Sequence, residues 1–248
     1  MPHEHPRASS GPTRRQILLG GSAAAGTAWA APSVLRVERA AADTFSCVDQ
    51  TIAWTSVTGS NPWTATATSG DITITAVITG NTTGIGETYL SGGTVIQRMR
   101  SGHSIGDFFD TVLTFSHASG SICQATSTIL DADQNGRGLG CPATSRFRDE
   151  ISNLTGTGLT LSTQGNLAEV TPGTYASTLN CKTTDTENLG LSWSSGGTVT
   201  GAGFNWRAGT PPGTSTNLDY QLIKIQPVTV CVQQTSAGFS AGDKGTPL

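Results

Sequence analysis

Asp71-Ile72-Thr73-Ile74-Thr75-Ala76-Val77-Ile78-Thr79-Gly80 is the stretch whose reading decides the fold. Ile72, Ile74, Ala76 and Ile78 recur at every second position and threonines fill the gaps. Successive side chains of an extended chain point to opposite faces, so this period of two puts the aliphatic set on one side and the hydroxyls on the other. The β-branched Ile and Thr favour the extended form. The stretch therefore predicts a half-buried strand, closed by the turn-forming Thr79-Gly80-Asn81.

The same grammar extends through the rest of the chain. Short alternating runs predict strands at Thr94 to Met99, Thr111 to Ser116, Ser121 to Leu130, Gly158 to Ser162, Leu189 to Trp193, Thr198 to Trp206 and Tyr220 to Val232. Gly-, Asn-, Ser- and Pro-containing segments such as Thr171-Pro172-Gly173 separate them. No segment after Asp43 carries ten residues of capped amphipathic helix. Many short strands with frequent turns predict an all-β fold, an antiparallel sandwich or jelly roll in one domain over residues 43–248.

Residues 1–42 read differently. Thr13-Arg14-Arg15-Gln16-Ile17-Leu18-Leu19 leads into a Gly- and Ala-rich apolar run through Ala31. This resembles a twin-arginine export signal, in which Arg14 and Arg15 are read by the translocase and the weakly apolar run follows. Ala40 and Ala42 place small residues where signal peptidase cuts, so the mature chain is expected to start at Asp43, with a cut after Ala30 as the weaker option. The run is broken by Gly20, Gly21, Gly26 and Pro32 and is short for a membrane span. The expected partners are the twin-arginine translocase and signal peptidase, and the expected location is extracellular, without membrane insertion after cleavage.

Cutting there removes Arg7, Arg14, Arg15, Arg36, Arg39, Glu4 and Glu38, so 14 basic and 17 acidic residues become 9 and 15, a net charge of -6. That balance disfavours nucleic acid and anionic membrane as partners, since both need a basic footprint. The five cysteines, Cys47, Cys123, Cys141, Cys181 and Cys231, form no Cys-x-x-Cys pair. In an oxidising compartment they are expected to make two disulfides and leave one thiol. The connectivity stays open. Cys123 with Cys141 would close a local loop, and Cys47 with Cys231 would tie the terminal strands.

Asp131-Ala132-Asp133-Gln134-Asn135-Gly136 ends a predicted strand with oxygen-bearing side chains at alternate positions and a glycine for the turn. Asp131, Asp133 and Asn135 are candidate calcium ligands, with Asp149 or Glu150 as a further donor. The stretch begins like an EF-hand loop and then departs from one, since its twelfth position is Pro142 and no helices flank it. The other reading is a solvated turn whose side chains bond their own backbone.

Leu113-Thr114-Phe115, Thr128 to Asp133 and Phe147-Arg148-Asp149-Glu150-Ile151 together resemble a pattern in β-sandwich modules of bacterial secreted and surface proteins. There a strand ending in Asp-x-Asp leads by a short loop to an aromatic-x-Asp-x-aliphatic strand. Gln221 to Ile225 followed by Val228 to Cys231 is similar to their closing strand. The resemblance covers roughly the last two thirds of the mature chain and implies fold and location rather than an activity. Cys141 inside the loop departs from the pattern.

Other motifs carry competing chemistry. Gly102-His103-Ser104-Ile105-Gly106 fits the Gly-x-Ser-x-Gly nucleophile elbow, but no helix follows, and the one later histidine, His117, closes the next strand. A Gly-rich turn is the simpler reading. His103 and His117 with Asp107 and Asp110 match no zinc spacing. Trp54 and Trp63 bracket the loop-like Thr58-Gly59-Ser60-Asn61-Pro62 and are expected to be exposed, where they would stack on sugar rings. Trp193 and Trp206 fall inside strands and are expected in the core. Asp107 with Asp110, or Asp149 with Glu150, would supply carboxylates for glycoside hydrolysis. The expectation is a secreted, non-catalytic β-sandwich module with a binding or structural role, an envelope or carbohydrate ligand and calcium stabilisation. The alternative is a secreted hydrolase acting on a polysaccharide or ester.

Overall fold

The computed structural model describes residues 47–81, 86–135, 147–178, 186–195, 197–211, 218 and 220–233. Arg14, Arg15, Ala40, Ala42, Cys141 and Cys181 lie outside the described residues, as do the side chains of Cys47 and Asn135. No helix occurs among the described residues.

The chain forms strands β1 (Cys47–Ile52), β2 (Ser56–Gly59), β3 (Trp63–Ser69), β4 (Ile72–Gly80), β5 (Gly86–Ser91), β6 (Thr94–Met99), β7 (Phe108–His117), β8 (Ser121–Leu130) and β9 (Gln134–Asn135). There follow β10 (Phe147–Gly156), β11 (Thr160–Gln164), β12 (Leu167–Thr171), β13 (Thr174–Ser177), β14 (Asn188–Ser194), β15 (Gly201–Ala208), β16 (Gln221–Ile225) and β17 (Val228–Gln233).

One sheet runs β12-β13-β10-β15-β7-β4-β3-β2, with the two-residue β9 against β10. The other runs β1-β17-β8-β16-β6-β5, and β8 also pairs with β14, which pairs with β11. Every pairing is antiparallel, and the two sheets pack face to face as a sandwich. The closing run expected from Tyr220 to Val232 is two strands, because Gln226-Pro227 interrupts it. Proline has no N–H for a ladder, and Gln226 N instead donates to Thr128 O at 3.0 Å. β16 and β17 thus meet β8 in succession, then diverge to β6 and β1.

β4 behaves as its sequence dictates. Ile72, Ile74, Ala76 and Ile78 are buried, and the threonines of the same strand face outward. Each such isoleucine contributes about 1.5–3 kcal/mol by leaving water. The core closes around aromatic rings: Phe109 stacks on Trp206 at 5.4 Å and 7°, Trp63 tilts against Phe109 at 5.6 Å, and Phe115 against Trp193 at 5.8 Å.

Trp54 and Trp63 are not exposed. They are 2% and 7% accessible and belong to the core, with Trp193 and Trp206. Trp63 opens β3 at an inward position, and Trp54 follows β1, its Nε1 donating to the Gln226 carbonyl at 3.1 Å. The segment between them, residues 58–62, is exposed. The expected loop is narrower, because Thr58 and Gly59 end β2 and pair with Thr64 and Trp63, and its two tryptophans point inward, so neither ring is available to a sugar.

Candidate functional site

Where β8 ends, the chain turns at Asp131, whose φ of 69° lies in the left-handed region that aspartate tolerates better than most residues. The turn brings Asp133 against Asp149 at the start of β10. Asp133 N donates to Asp149 Oδ2 at 3.1 Å, and Asp149 N donates to Asp133 O at 2.9 Å. Ala132 N donates to Glu187 O at 3.0 Å, which brings in the residue just before β14.

Asp149 is the knot of this arrangement. It is 1% exposed, and its Oδ1 accepts from Trp206 Nε1 at 2.8 Å and from Gln221 Nε2 at 3.1 Å. Trp206 belongs to β15 of one sheet and Gln221 to β16 of the other, so one carboxyl group fastens the two layers together. Gln221 Oε1 in turn meets His103 Nε2, and His103 Nδ1 lies 2.8 Å from the Arg100 carbonyl. A polar chain thus runs through the apolar core from Trp206 to Arg100, consistent with the rule that buried polar groups are partnered.

Asp133 is less well provided. It is 2% exposed, and its Oδ1 has no hydrogen-bond partner. Burial pushes its carboxyl up to about 9, helped by a hydrogen bond shared with Asp131 and by the charges of Asp131, Asp149 and Glu187. Burial also holds Asp149 well above the carboxylate range, against the opposing bond from Trp206. Lys224 Nζ lies 3.5 Å from Asp131 Oδ2. Asp131, Asp133, Asp149 and the fully buried Glu187 therefore crowd negative charge at one end of the sandwich, and a proton or a cation relieves it.

The sequence singled out Asp131, Asp133 and Asp149, and the fold brings them together. Asn135 lies on β9, which pairs with β10. Among the described residues, no group of three or more His, Cys, Asp and Glu side chains is arranged to hold a metal ion. Asp149 spends its oxygens on Trp206, Gln221 and the Asp133 amide, which makes it a fastener before it is a ligand. Glu187 and Gln221 were missed. Gln221 was legible, because it shares the inward phase of Ile223 and Ile225, whereas no local pattern marks Glu187.

The other candidates are dispersed. Gly102 and Gly106 have φ of 94° and 91°, so the Gly-x-Ser-x-Gly motif is a turn between β6 and β7 that needs glycine at both ends. Ser104 N donates to Asp107 Oδ2 at 2.9 Å, and Asp107 N returns to Ser104 O at 3.0 Å. His117 closes β7 at the far end from that turn, its Nδ1 accepting from Ser119 N at 3.2 Å. Asp110 Oδ1 accepts from Asn205, and Glu150 pairs with Arg207 and Arg148. Cys123 lies on β8 with its sulfur 3.4 Å from the Cys231 carbonyl.

No protein-family model, no curated protein and no solved structure matches this chain.

Proposed function

We propose that this chain is an exported β-sandwich module that acts outside the cytoplasm in a binding or structural role, without catalysis of its own and with calcium stabilisation. The observation that carries the reading is the Asp149 knot. The Asp149 carboxyl, whose perturbation in an enzyme would point to a cleft, is spent here on joining one sheet to the other. The Gly102 to Gly106 motif is likewise consumed as a turn. Export is supported by Arg14-Arg15 ahead of the apolar run and by the small residues Ala40 and Ala42. The resemblance to β-sandwich modules of bacterial secreted and surface proteins points the same way.

Calcium is supported by the buried, unpartnered Asp133 Oδ1 beside Asp131, since a cation would satisfy that oxygen and offset the repulsion. Oxidation in the outer compartment completes the proposal. β1 and β17 pair along their length, so the proposed Cys47 to Cys231 bridge would tie the first strand to the last.

The test is export. Wild-type protein is expected in the culture medium beginning at Asp43, and the double variant Arg14→Lys, Arg15→Lys is expected to stay in the cytoplasm. Unchanged secretion of the double variant removes the twin-arginine reading. Hydrolysis of a polysaccharide or ester that survives purification of the wild-type chain removes the non-catalytic one.

A further inference from the structure

Among the described residues the tryptophans are buried, and the exposed aromatic rings are Tyr89 and Tyr220, at 36% and 41% accessibility. Both sit on the outward face of the β5, β6, β16 run. Gln97, Met99, Gln221 and Ile223 fill the inward side of these strands. Alternation therefore turns Glu87 and Tyr89 of β5, Arg98 of β6, and Leu222 and Lys224 of β16 outward. The register sets Glu87 opposite Arg98, Arg98 opposite Leu222, and Tyr89 opposite Ile96, while Tyr220 stands just before β16.

These side chains converge. Arg98 Cζ lies 5.3 Å from the Tyr89 ring centroid and 5.5 Å from that of Tyr220, so both rings lean on one guanidinium. Partial burial, with the neighbouring Tyr220 hydroxyl, raises Tyr89 above the usual phenol range. Glu87 pairs with Arg98 through one oxygen and with Arg100 through the other at 2.7 Å. Among the described residues, one carboxylate thus serves two guanidinium groups, and the Arg100 side chain is 60% exposed. The patch carries surplus positive charge on a chain whose mature part is net negative.

Aromatic surface fixed on a rigid sheet accepts the C–H face of a pyranose ring, and a guanidinium fork accepts a carboxylate through two parallel hydrogen bonds. We propose that this face binds a uronate-containing polysaccharide, with Tyr89 and Tyr220 packing on the sugar ring and Arg100, assisted by Arg98, pairing with the uronate carboxylate. The charge surplus selects the acidic sugar, since Glu87 supplies one negative charge to two guanidinium groups and a neutral glycan would add none. The inference rests on the reading of the chain as an exported binding module. The export assay tests that reading separately, because export can fail while binding persists and binding can fail while export persists.

The experiment is calorimetric titration of the full-length chain, in chelator, with an oligogalacturonate and with a neutral gluco-oligosaccharide of equal length. Chelator keeps the Asp131 end of the molecule out of the result. The oligogalacturonate is expected to bind and the neutral sugar to bind at least tenfold more weakly. Affinity is expected to fall between about 0.1 M and about 1 M salt as screening tightens. Tyr89→Ala and Arg100→Gln are each expected to weaken binding roughly tenfold, and Tyr89→Phe to retain it. If Tyr89→Ala does not fold, Tyr220→Ala at a second exposed ring takes its place. The proposal is overturned by the absence of binding to the oligogalacturonate, by equal affinity for the neutral sugar, or by unchanged affinity in the ring and Arg100 variants.

Discussion

Replacing Asp133 by Asn tests whether the folded chain holds a proton at this position. The carboxyl is pushed up to about 9 from its ordinary 3.8, so between roughly pH 4 and pH 9 the folded state keeps a proton that the unfolded chain has lost. The sign follows directly. A raised carboxyl gives stability that is fully present below the unfolded value and is lost as pH climbs toward the folded one, at about 1.4 kcal/mol per pH unit for one proton. Across the whole interval that slope sums to about 7 kcal/mol. The repulsion from half-buried Asp131 is screened by solvent, and halving the sum for this leaves ~3.5 kcal/mol. Even the reduced figure is a large share of the 5–15 kcal/mol that usually holds a domain together.

Urea unfolding in chelator at several pH values from 5 to 8 is the assay. The wild-type chain is expected to lose stability steadily with rising pH, with Asp149 adding its own loss in the same direction. Asp133→Asn has nothing to titrate at 133, so its slope is expected to be shallower by up to 1.4 kcal/mol per unit. Calcium, if it takes the proton's place, flattens the wild-type slope as well. Parallel wild-type and Asp133→Asn slopes in chelator would refute the reasoning, because they would mean that Asp133 ionises in the folded state as freely as in the unfolded one.

Two further outcomes follow from the same end of the sandwich. The wild-type melting temperature is expected to rise by a few degrees in millimolar calcium relative to chelator, and Asp131→Ala is expected to abolish that difference; an identical wild-type melting point in both leaves the loop as a turn only. Trp206→Phe keeps a ring against Phe109 but removes the donor to Asp149 Oδ1, and is expected to cost about 1–3 kcal/mol by chemical denaturation. A loss within error would mean that Gln221 alone satisfies that oxygen.

How far the fold was legible depends on how loudly each strand announces its buried face. β4, β6 and β8 carry Ile, Val or Leu at inward positions, and their limits coincide with the runs read from the sequence, apart from the opening Asp71 of the first. β3 was passed over because two of its three inward residues, Ala65 and Ala67, are small and carry little hydrophobic signal. β11, read two residues early, is mostly exposed, so burial does little to pin its start. Trp54 and Trp63 were misjudged for a different reason. The loop residues between them describe the loop itself and say nothing about the anchors, which take their direction from the strands they belong to.

The candidate site was half legible for a related reason. Asp131 and Asp133 lie close together in the chain, and Asp149 follows sixteen residues after Asp133, so local spacing suggested their association. Glu187, Trp206 and Gln221 reach the same place only because β14, β15 and β16 fold back onto it. That origin bears on what a cation would do. Asp131 follows β8 and Glu187 precedes β14 in one sheet, while Asp149 is the third residue of β10 and Trp206 lies on β15 in the other. Repulsion within the cluster therefore acts across the joint between the layers. A ligand that neutralises it tightens the docking of one sheet on the other instead of stiffening a surface loop. Its effect belongs in the cooperative unfolding of the sandwich, and amide exchange in the central strands β8 and β10 should slow together when calcium is added. Protection confined to the residues next to Asp131 would place the cation on the loop alone and separate it from the Asp149 knot.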